Sequence, residues 1–157
     1  MIDTTLCYLE KDGCYLMLHR VKKAADPNEG KWIGVGGHFR EGESPEECVI
    51  REVLEETGLT IEHPVYRGIV TFVSDVWEEE QMHLFTAGTF RGELTECDEG
   101  ELAWIPRGKV GELRLWEGDR IFLDLLAARD SFFSLKLVYR GDILTEAILD
   151  GEPLPLQ

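Results

Sequence analysis

The feature that most constrains this chain is a helix between residues 45 and 57 whose two ends are both marked in the sequence. Ser44 is a favourable N-cap, and Pro45 suits the first helical position. Glu47 completes a Ser-x-x-Glu capping box, and Gly58 supplies the left-handed residue at which helices commonly stop. The sequence therefore predicts an α-helix over residues 45–57.

The predicted helix has an apolar face and an acidic face. At about 100° per residue its apolar side chains form one stripe suited to a core: Val49, Ile50, Val53 and Leu54. Glu52, Glu55 and Glu56 converge on the opposite side. Carboxylates on adjacent turns suit Mg²⁺ or Mn²⁺, which prefer oxygen ligands. The alternative is a solvated acidic face, which carries a repulsion of a few tenths of a kcal/mol per like-charged pair.

The rest of the chain combines strands with one further helix. Strand-like runs at 5–10 and 14–21 flank Lys11-Asp12-Gly13, which predicts a hairpin before a loop at 21–31. Further strands are predicted at 32–35, 65–76, 82–90, 102–105, 132–139 and 143–149. Apolar residues recur at helical spacing between 118 and 129. This order predicts an α+β fold, a sandwich of helix, sheet and helix.

Composition bounds the class of protein. The 157 residues have the length of one domain, and we expect a single domain over residues 1–157. A net charge of −15 argues against nucleic-acid polymers and membranes as partners. No apolar run approaches the ~20 residues of a membrane span, and no signal peptide is evident, so we expect a cytoplasmic protein. The cysteines lack close CxxC pairs and are expected to be reduced: Cys7, Cys14, Cys48 and Cys97.

The helix lies within a longer pattern. Residues 37–59 read GHFREGESPEECVIREVLEETGL. This stretch resembles the Nudix box: Gly, five residues, Glu, seven residues, Arg-Glu, an aliphatic residue, any residue, Glu-Glu, any residue, Gly and an aliphatic residue. Its nine defined positions are filled by Gly37, Glu43, Arg51, Glu52, Val53, Glu55, Glu56, Gly58 and Leu59. So many positions at fixed spacing make the match specific.

Nudix enzymes hydrolyse nucleoside diphosphates linked to another moiety, and the resemblance implies their fold and their metal. The fold is an α/β/α sandwich with a mixed central sheet, and the cofactor is Mg²⁺, with Mn²⁺ as a substitute. The resemblance implies that Glu52, Glu55 and Glu56 are metal ligands, with the Gly36 carbonyl as a further ligand, and that Arg51 orients the glutamates by ion pairing. Such an ion would neutralise phosphate charge and lower the pKa of a bound water.

Outside the box, the chain is similar to MutT-like hydrolases of oxidised purine nucleotides. The similarity is carried by residues 30–37, 98–104 and 115–119. It implies that Glu99 is an additional metal ligand or the base that activates water. The residues implied to contact substrate are Lys23 at the phosphates, and Trp32, Trp116 and Asp119 at the base. Packing tryptophans, a first-turn helix acid and a solvated acidic loop are the alternatives for these side chains.

Three positions depart from that subgroup. His38 stands where many MutT-like proteins have lysine, so one positive charge facing the phosphates is replaced. Ile33 replaces a base-reading amide and has no hydrogen-bonding group. Gly118 replaces the first acid of an Asp-Asp pair and leaves Asp119 alone. Ile33 and His38 are still predicted to contact substrate, but the base that they accept stays open.

The predicted function is Mg²⁺-dependent hydrolysis of a nucleoside triphosphate to a nucleoside monophosphate and pyrophosphate, with oxidised purine nucleotides such as 8-oxo-dGTP as candidate substrates. The catalytic residues implied are Arg51, Glu55, Glu56 and Glu99. One alternative is a Nudix pyrophosphatase for ADP-ribose, nucleotide sugars or dinucleoside polyphosphates. Another is a non-catalytic module that senses nucleotides. The expected partner is a small-molecule nucleotide, bound by a monomer or a homodimer.

Overall fold

The computed structural model describes residues 1–22 and 24–156. The described residues form helices α1 (Pro45–Thr57) and α2 (Glu117–Ala128) and a 3₁₀ helix over Arg107–Glu112. The strands are, in chain order, β1 (Ile2–Lys11), β2 (Cys14–His19), β3 (Trp32–Ile33), β4 (Leu59–Glu62), β5 (Val65–Ser74), β6 (Glu80–Ala87), β7 (Thr89–Gly92), β8 (Glu101–Pro106), β9 (Phe133–Arg140), β10 (Ile143–Leu149) and β11 (Glu152–Pro153).

Within the described chain, nine strands form one mixed sheet in the order β11-β10-β9-β5-β6-β1-β2-β3, with β8 beside β2. Strand β1 runs parallel to β6, and β5 runs parallel to β9, whereas the remaining pairs are antiparallel. Strands β4 and β7 form a separate antiparallel pair. A mixed sheet combined with helices confirms the predicted α+β class.

Alternate side chains of β1 enter two different cores. Leu6 and Tyr8 belong to a buried cluster that includes residues of α2, whereas Cys7 and Leu9 belong to a cluster that includes residues of α1. Because successive side chains of a strand point to opposite faces, the two helices cover opposite faces of the sheet. The predicted α/β/α sandwich is therefore confirmed.

Two hairpins are also present, the first of them at the predicted position. Lys11 pairs with Cys14, and the turn residues Asp12 and Gly13 have φ values of 51° and 75°. Such positive φ values match the twist of a two-residue hairpin, and glycine adopts them without steric cost. The second hairpin joins β9 to β10 through Gly141 and Asp142.

Two predicted strands differ from those observed. The run predicted at 82–90 is divided at Gly88, because its end, β7, leaves the main sheet and pairs with the unpredicted β4. The strand predicted at 32–35 ends at Ile33, and Val35 instead bonds to Cys7 of β1, with a distance of 2.6 Å from the Cys7 nitrogen to the Val35 oxygen. This change of partner carries the chain from β2 to β1 and brings residues 36 and 37 beside helix α1.

No helix in residues 1–22 and 24–156 is long and apolar enough to cross a membrane.

Candidate active site

Helix α1, which carries the three glutamates, is capped by local hydrogen bonds at both ends. The Ser44 hydroxyl accepts a hydrogen bond from the Glu47 nitrogen (3.1 Å), and the Glu47 carboxylate accepts one from the Ser44 nitrogen (2.9 Å). At the other end Gly58 has a φ of 82°, and its nitrogen donates to the Leu54 carbonyl. These local bonds satisfy the free amide and carbonyl groups of a helix end. The predicted caps are confirmed.

Two glycines bring the backbone against the helix. A Cβ on Gly36 would overlap the carbonyl of Thr5 in β1, and a Cβ on Gly37 would overlap the carboxylate of Glu52. The Gly36 nitrogen donates to Glu56 Oε1 over 3.0 Å. Only residues without a side chain allow this close approach of strand, loop and helix.

Glu56 is the most buried of the three helix glutamates. Its side chain is buried, and its Oε2 atom has no hydrogen-bond partner in the part of the chain that the structure describes. Burial, together with the negative charges of Glu99 and Glu52, raises the pKa of Glu56 to about 8. A buried carboxylate oxygen without a donor is unfavourable, and a cation at this point would remove that cost.

Arg51 joins the glutamates to the loop that precedes the helix. Its guanidinium donates to both carboxylate oxygens of Glu43, over 2.7 and 2.8 Å, and to Glu52 Oε1 over 2.7 Å. It also donates to Glu55 Oε2 over 3.1 Å and to the His38 carbonyl over 3.0 Å. The hydrogen bonds that Glu43 accepts from Arg51 lower the pKa of Glu43 to about 2. A planar guanidinium can hold several carboxylates in a defined geometry at once.

The glutamates have the donor set of a hard divalent cation, although they are not clustered as ligands in this structure. Among the described residues, no three His, Cys, Asp or Glu side chains are placed to hold a metal ion together. Glu55 is half-exposed and is paired with Arg40 (3.1 Å) as well as Arg51. The bare Oε2 atom of Glu56 and the oxygen-only donor set fit Mg²⁺ or Mn²⁺.

Glu99 is brought to the same region by a buried arginine. Arg20, which directly follows β2, donates to Glu99 Oε2 over 2.7 Å and to Asp26 Oδ2 over 2.8 Å. The Arg20 and Asp26 side chains are less than one-tenth exposed, and the Glu99 side chain is about one-third exposed. Arg20 therefore ties the 98–100 loop to the loop after β2.

A cavity of about 480 Å³ extends from this acidic region across the sheet. Glu52, Glu99 and the backbone of Gly36 and Gly37 line one part of it, and Trp116 and Asp119 line another. Its remaining polar lining residues in the described chain are Thr4, Thr5, Arg20, Asp26, Asn28, His38, Trp77, Glu78, Glu80 and Tyr139. The cavity thus joins acids that can hold a cation to an aromatic residue and a buried acid.

Trp116 is held from several sides. Its indole nitrogen donates to Asn28 Oδ1 over 2.8 Å, and Lys31 Nζ lies 4.3 Å from its ring centroid. Its ring meets Phe72 and Tyr139 edge to face, with centroids 5.3 and 4.8 Å apart. Such aromatic contacts restrict the orientation of the ring. Trp116 therefore lines the cavity, where its predicted contact with a base would be made, and also packs against neighbouring aromatic rings.

Asp119 is almost completely buried, with 5% of its surface exposed. Burial raises its pKa to about 8, although the positive charges of Arg120 and Lys31 act in the opposite direction. Because ionisation of an unpaired buried carboxyl is unfavourable, Asp119 can bear a proton near neutral pH. It can then donate a hydrogen bond as well as accept one.

The other sequence-predicted substrate residues are placed differently. Ile33 and His38 line the cavity. Trp32 lies outside the cavity lining and stacks on His19, with ring centroids 4.5 Å apart. Lys23 lies outside the described residues.

The sequence reasoning missed Arg20, Asn28, Trp77, Glu78 and Glu80, which also line the cavity. Asn28 lies in the predicted 21–31 loop, and Glu78 and Glu80 belong to the acidic run between two predicted strands. A signal existed for Arg20, a cation at the end of an apolar strand. Of its two acidic partners, Glu99 lies 79 positions away, so that pair could not be read from local spacing.

Comparison with known proteins agrees with this geometry. A sequence profile of the NUDIX domain matches residues 3–126. A Nudix hydrolase of Bacillus subtilis is 33% identical over 127 residues, which cover 78% of this chain and 77% of that protein. An oxidised purine nucleoside triphosphate hydrolase of Danio rerio is 31% identical over 123 residues, which cover 77% of this chain and 78% of that protein.

Solved structures give the same picture. The crystal structure of a mutator MutT protein from Bacillus halodurans superposes with a TM-score of 0.87 at 29% identity, covering 98% of this chain and all of that one. A MutT protein of Methanosarcina mazei has a TM-score of 0.71 at 28% identity, with 80% of this chain and 92% of that one covered.

Proposed function

Because the chain belongs to the Nudix hydrolase family, we propose that it hydrolyses a nucleoside triphosphate to a nucleoside monophosphate and pyrophosphate, with oxidised purine nucleotides as candidate substrates. The observation that carries the proposal is that one and the same cavity is lined by Glu52 and Glu99 and by Trp116 and Asp119. A nucleotide has the matching parts, since its phosphates need a cation and its base needs an aromatic face and polar edges.

The acidic part of the cavity suits the phosphates only together with a cation. Arg20 and His38 are the basic side chains among its described lining residues, against the carboxylates of Asp26, Glu52, Glu78, Glu80, Glu99 and Asp119. Glu52, Glu55, Glu56 and the Gly36 carbonyl would hold Mg²⁺ or Mn²⁺. When bound, such an ion offsets phosphate charge and acidifies a coordinated water.

The protein's own residues prepare this chemistry. Arg51 donates four hydrogen bonds to the carboxylates of Glu43, Glu52 and Glu55 and a fifth to the His38 carbonyl. Arg20 holds Glu99 at the cavity, where its carboxylate can accept a proton from an attacking water or contribute a further oxygen ligand. Both arginines fix the direction of acids that would otherwise repel one another.

The other part of the cavity supports a base. Trp116 offers an aromatic surface, and Asp119 offers a hydrogen bond whose direction depends on its proton. The Danio rerio relative is an oxidised purine nucleoside triphosphate hydrolase, which favours purines among the possible bases.

The test is a substrate panel with identified products. Unmodified and oxidised dNTPs, ADP-ribose and a dinucleoside tetraphosphate are assayed with Mg²⁺, with Mn²⁺ and with EDTA. We expect a nucleoside monophosphate and pyrophosphate from a triphosphate, no turnover in EDTA, and an oxidised purine among the best substrates.

Two outcomes would replace the proposal. Faster hydrolysis of ADP-ribose or the dinucleoside tetraphosphate than of every triphosphate would make the protein a pyrophosphatase of another substrate class. Nucleotide binding without turnover under all metal conditions would make it a sensing module.

A further inference from the structure

The side chain of Asn28 is oriented by Trp116. Asn28 lines the cavity, and its Oδ1 atom lies 2.8 Å from the indole nitrogen of Trp116. An indole N–H is a donor only, so the amide atom that faces it must be the oxygen. The orientation of the amide therefore follows from chemistry, and the Nδ2 group, with two hydrogens to donate, lies on the other branch of the side chain.

The backbone of this loop is fixed on both sides of Asn28. The Asp26 carboxylate is paired with Arg20 over 2.8 Å, and the Glu29 nitrogen donates to the Asp26 carbonyl over 3.0 Å. The Lys31 nitrogen donates to the Asn28 carbonyl over 2.8 Å. The amide is consequently held in place before any ligand binds, which reduces the entropic cost of a contact.

The Nδ2 group is a free donor beside the cavity. Within residues 1–22 and 24–156, no hydrogen bond from Asn28 Nδ2 is formed. Ile33, which also lines the cavity, has no polar group to offer. A ligand that enters this part of the cavity can thus meet the fixed donor of Asn28 and the variable carboxyl of Asp119.

We propose that Asn28 is a specificity-determining residue whose Nδ2 group donates a hydrogen bond to the 6-oxo group of a purine base. The inference rests on the proposed function, because it assumes that the base of a nucleotide occupies this part of the cavity. Guanine and 8-oxoguanine carry a carbonyl oxygen at this ring position, whereas adenine carries an amino group, which is itself a donor. A fixed donor accepts the first pair and rejects the second.

Asp119 cannot replace Asn28 in this role. Since burial raises the pKa of Asp119 to about 8, its carboxyl can adapt to a donor or to an acceptor on the base. An amide has no second protonation state near neutral pH. Asn28 is therefore the group that rejects a base with a 6-amino group. Oxidation at the 8 position turns N7 from an acceptor into a donor, and recognition of that change requires another group.

The experiment removes the proposed hydrogen bond in two ways, once by changing the ligand and once by changing Asn28. Calorimetry measures the affinities of the wild type and of Asn28→Asp for dGMP and for the deoxynucleoside monophosphate of 2-aminopurine, which lacks only the 6-oxo oxygen and its associated N1 hydrogen. Asn28→Asp keeps an acceptor for Trp116 but replaces the Nδ2 donor by an acceptor. Any uniform repulsion from the new charge acts on both ligands and cancels in the ratio of the two affinities.

We expect the wild type to bind dGMP about tenfold more tightly than the 2-aminopurine nucleotide, and Asn28→Asp to bring this ratio close to one. Glu29→Gln, a neighbouring exposed substitution, should leave the ratio unchanged. A wild type without the preference, or an Asn28→Asp protein that keeps it, would overturn the inference. If Asn28→Asp does not fold, Asn28→Ala takes its place, because it removes the Nδ2 donor without adding a charge and should also bring the ratio close to one.

Failure of the proposed function has a different signature. If no triphosphate is hydrolysed but dGMP is still preferred through Asn28, the assignment of Asn28 stands and the catalytic proposal falls. If triphosphates are hydrolysed and kcat/KM for dGTP relative to dATP is the same in the wild type and Asn28→Asp, the catalytic proposal stands and the assignment of Asn28 falls.

Discussion

Replacing Asp119 by asparagine should stabilise the folded protein as the pH rises above about 5. The Asp119 side chain is almost fully buried, and burial raises its pKa from 3.8 to about 8. The charged groups acting on it are Arg120 and Lys31, which favour ionisation. The hydroxyls of Tyr8 and Tyr139 also interact with it, and their own pKa values are raised first by burial and then by Asp119.

The size of the stability change follows from the pKa of Asp119, which is 3.8 in the unfolded chain and about 8 in the folded protein. Below pH 3.8 the carboxyl is protonated in the folded and the unfolded chain, so ionisation has no effect on the free energy of unfolding. Between pH 3.8 and about 8 only the unfolded chain ionises readily, and the free energy of unfolding falls as the pH rises. At about 1.4 kcal/mol per pKa unit the loss reaches at most about 4 kcal/mol at pH 7. Above about pH 8 both states are ionised and the loss is constant.

Water that enters the cavity reduces the cost of ionising Asp119. We therefore expect a loss in the free energy of unfolding of about 2 kcal/mol at pH 7, about half of the maximum. Asparagine has nearly the same shape and cannot ionise, so Asp119→Asn avoids the loss. For a chain of this length, that difference corresponds to an increase in Tm of about 4–8 °C.

The assay is urea unfolding of the wild type and Asp119→Asn in EDTA at several pH values from 4.5 to 9. The two free energies of unfolding should be close at the acid end, diverge up to about pH 8, and then stay apart by a constant amount. Asp124→Asn, an exposed substitution on the same helix, should remain within about 0.5 kcal/mol of the wild type throughout. A difference between Asp119→Asn and the wild type that does not change with pH would refute the reasoning.

Three further substitutions test the acidic region at the other end of the cavity. Glu56→Gln should lower Mg²⁺-dependent turnover at least a hundredfold and weaken Mg²⁺ binding in calorimetry. Urea unfolding in EDTA should show no loss of stability, and an unchanged Mg²⁺ affinity would contradict the metal site. Glu99→Gln should lower kcat by about a hundredfold in a steady-state assay, whereas Glu101→Gln should not. Equal activities of the two variants would mean that Glu99 is only a solvated surface acid. Gly36→Ala should lower Tm and turnover together, because its Cβ would overlap the backbone of Thr5, and a variant that melts like the wild type would show that the close approach is not required.

The parts of the structure that the sequence predicted are those specified by neighbouring residues. Helix α1 was predicted with its observed bounds because Ser44, Pro45 and Glu47 at one end and Gly58 at the other act within a few positions of the helix. The first hairpin was predicted because Asp12 and Gly13 define its turn locally.

The parts that could not be predicted depend on contacts between distant positions. The parallel pairings of β1 with β6 and of β5 with β9 leave no spacing signature, since no turn connects the paired strands. Strand β4 has four residues and begins directly after the helix, too short a run for alternation to be visible.

The same limit applies to the site. The box motif predicted the helix acids, but the bond from Trp116 to Asn28 spans 88 positions. The burial that raises the pKa of Asp119 is likewise a property of the assembled fold. Only the folded chain shows that Asn28 and Asp119 line the same cavity.

Two buried acids with raised pKa values, Glu56 and Asp119, lie in the two different regions that this cavity joins. Within residues 1–22 and 24–156, the buried Oε2 atom of Glu56 has no donor, and the buried Asp119 carboxyl forms no salt bridge. Each lowers the stability of the empty protein when it ionises, and each would be relieved by a different part of one ligand complex, the cation at Glu56 and the base at Asp119. Proteins retain such unfavourable groups where binding uses them. A nucleotide bound together with its metal ion relieves both acids at once, so each component should strengthen the binding of the other.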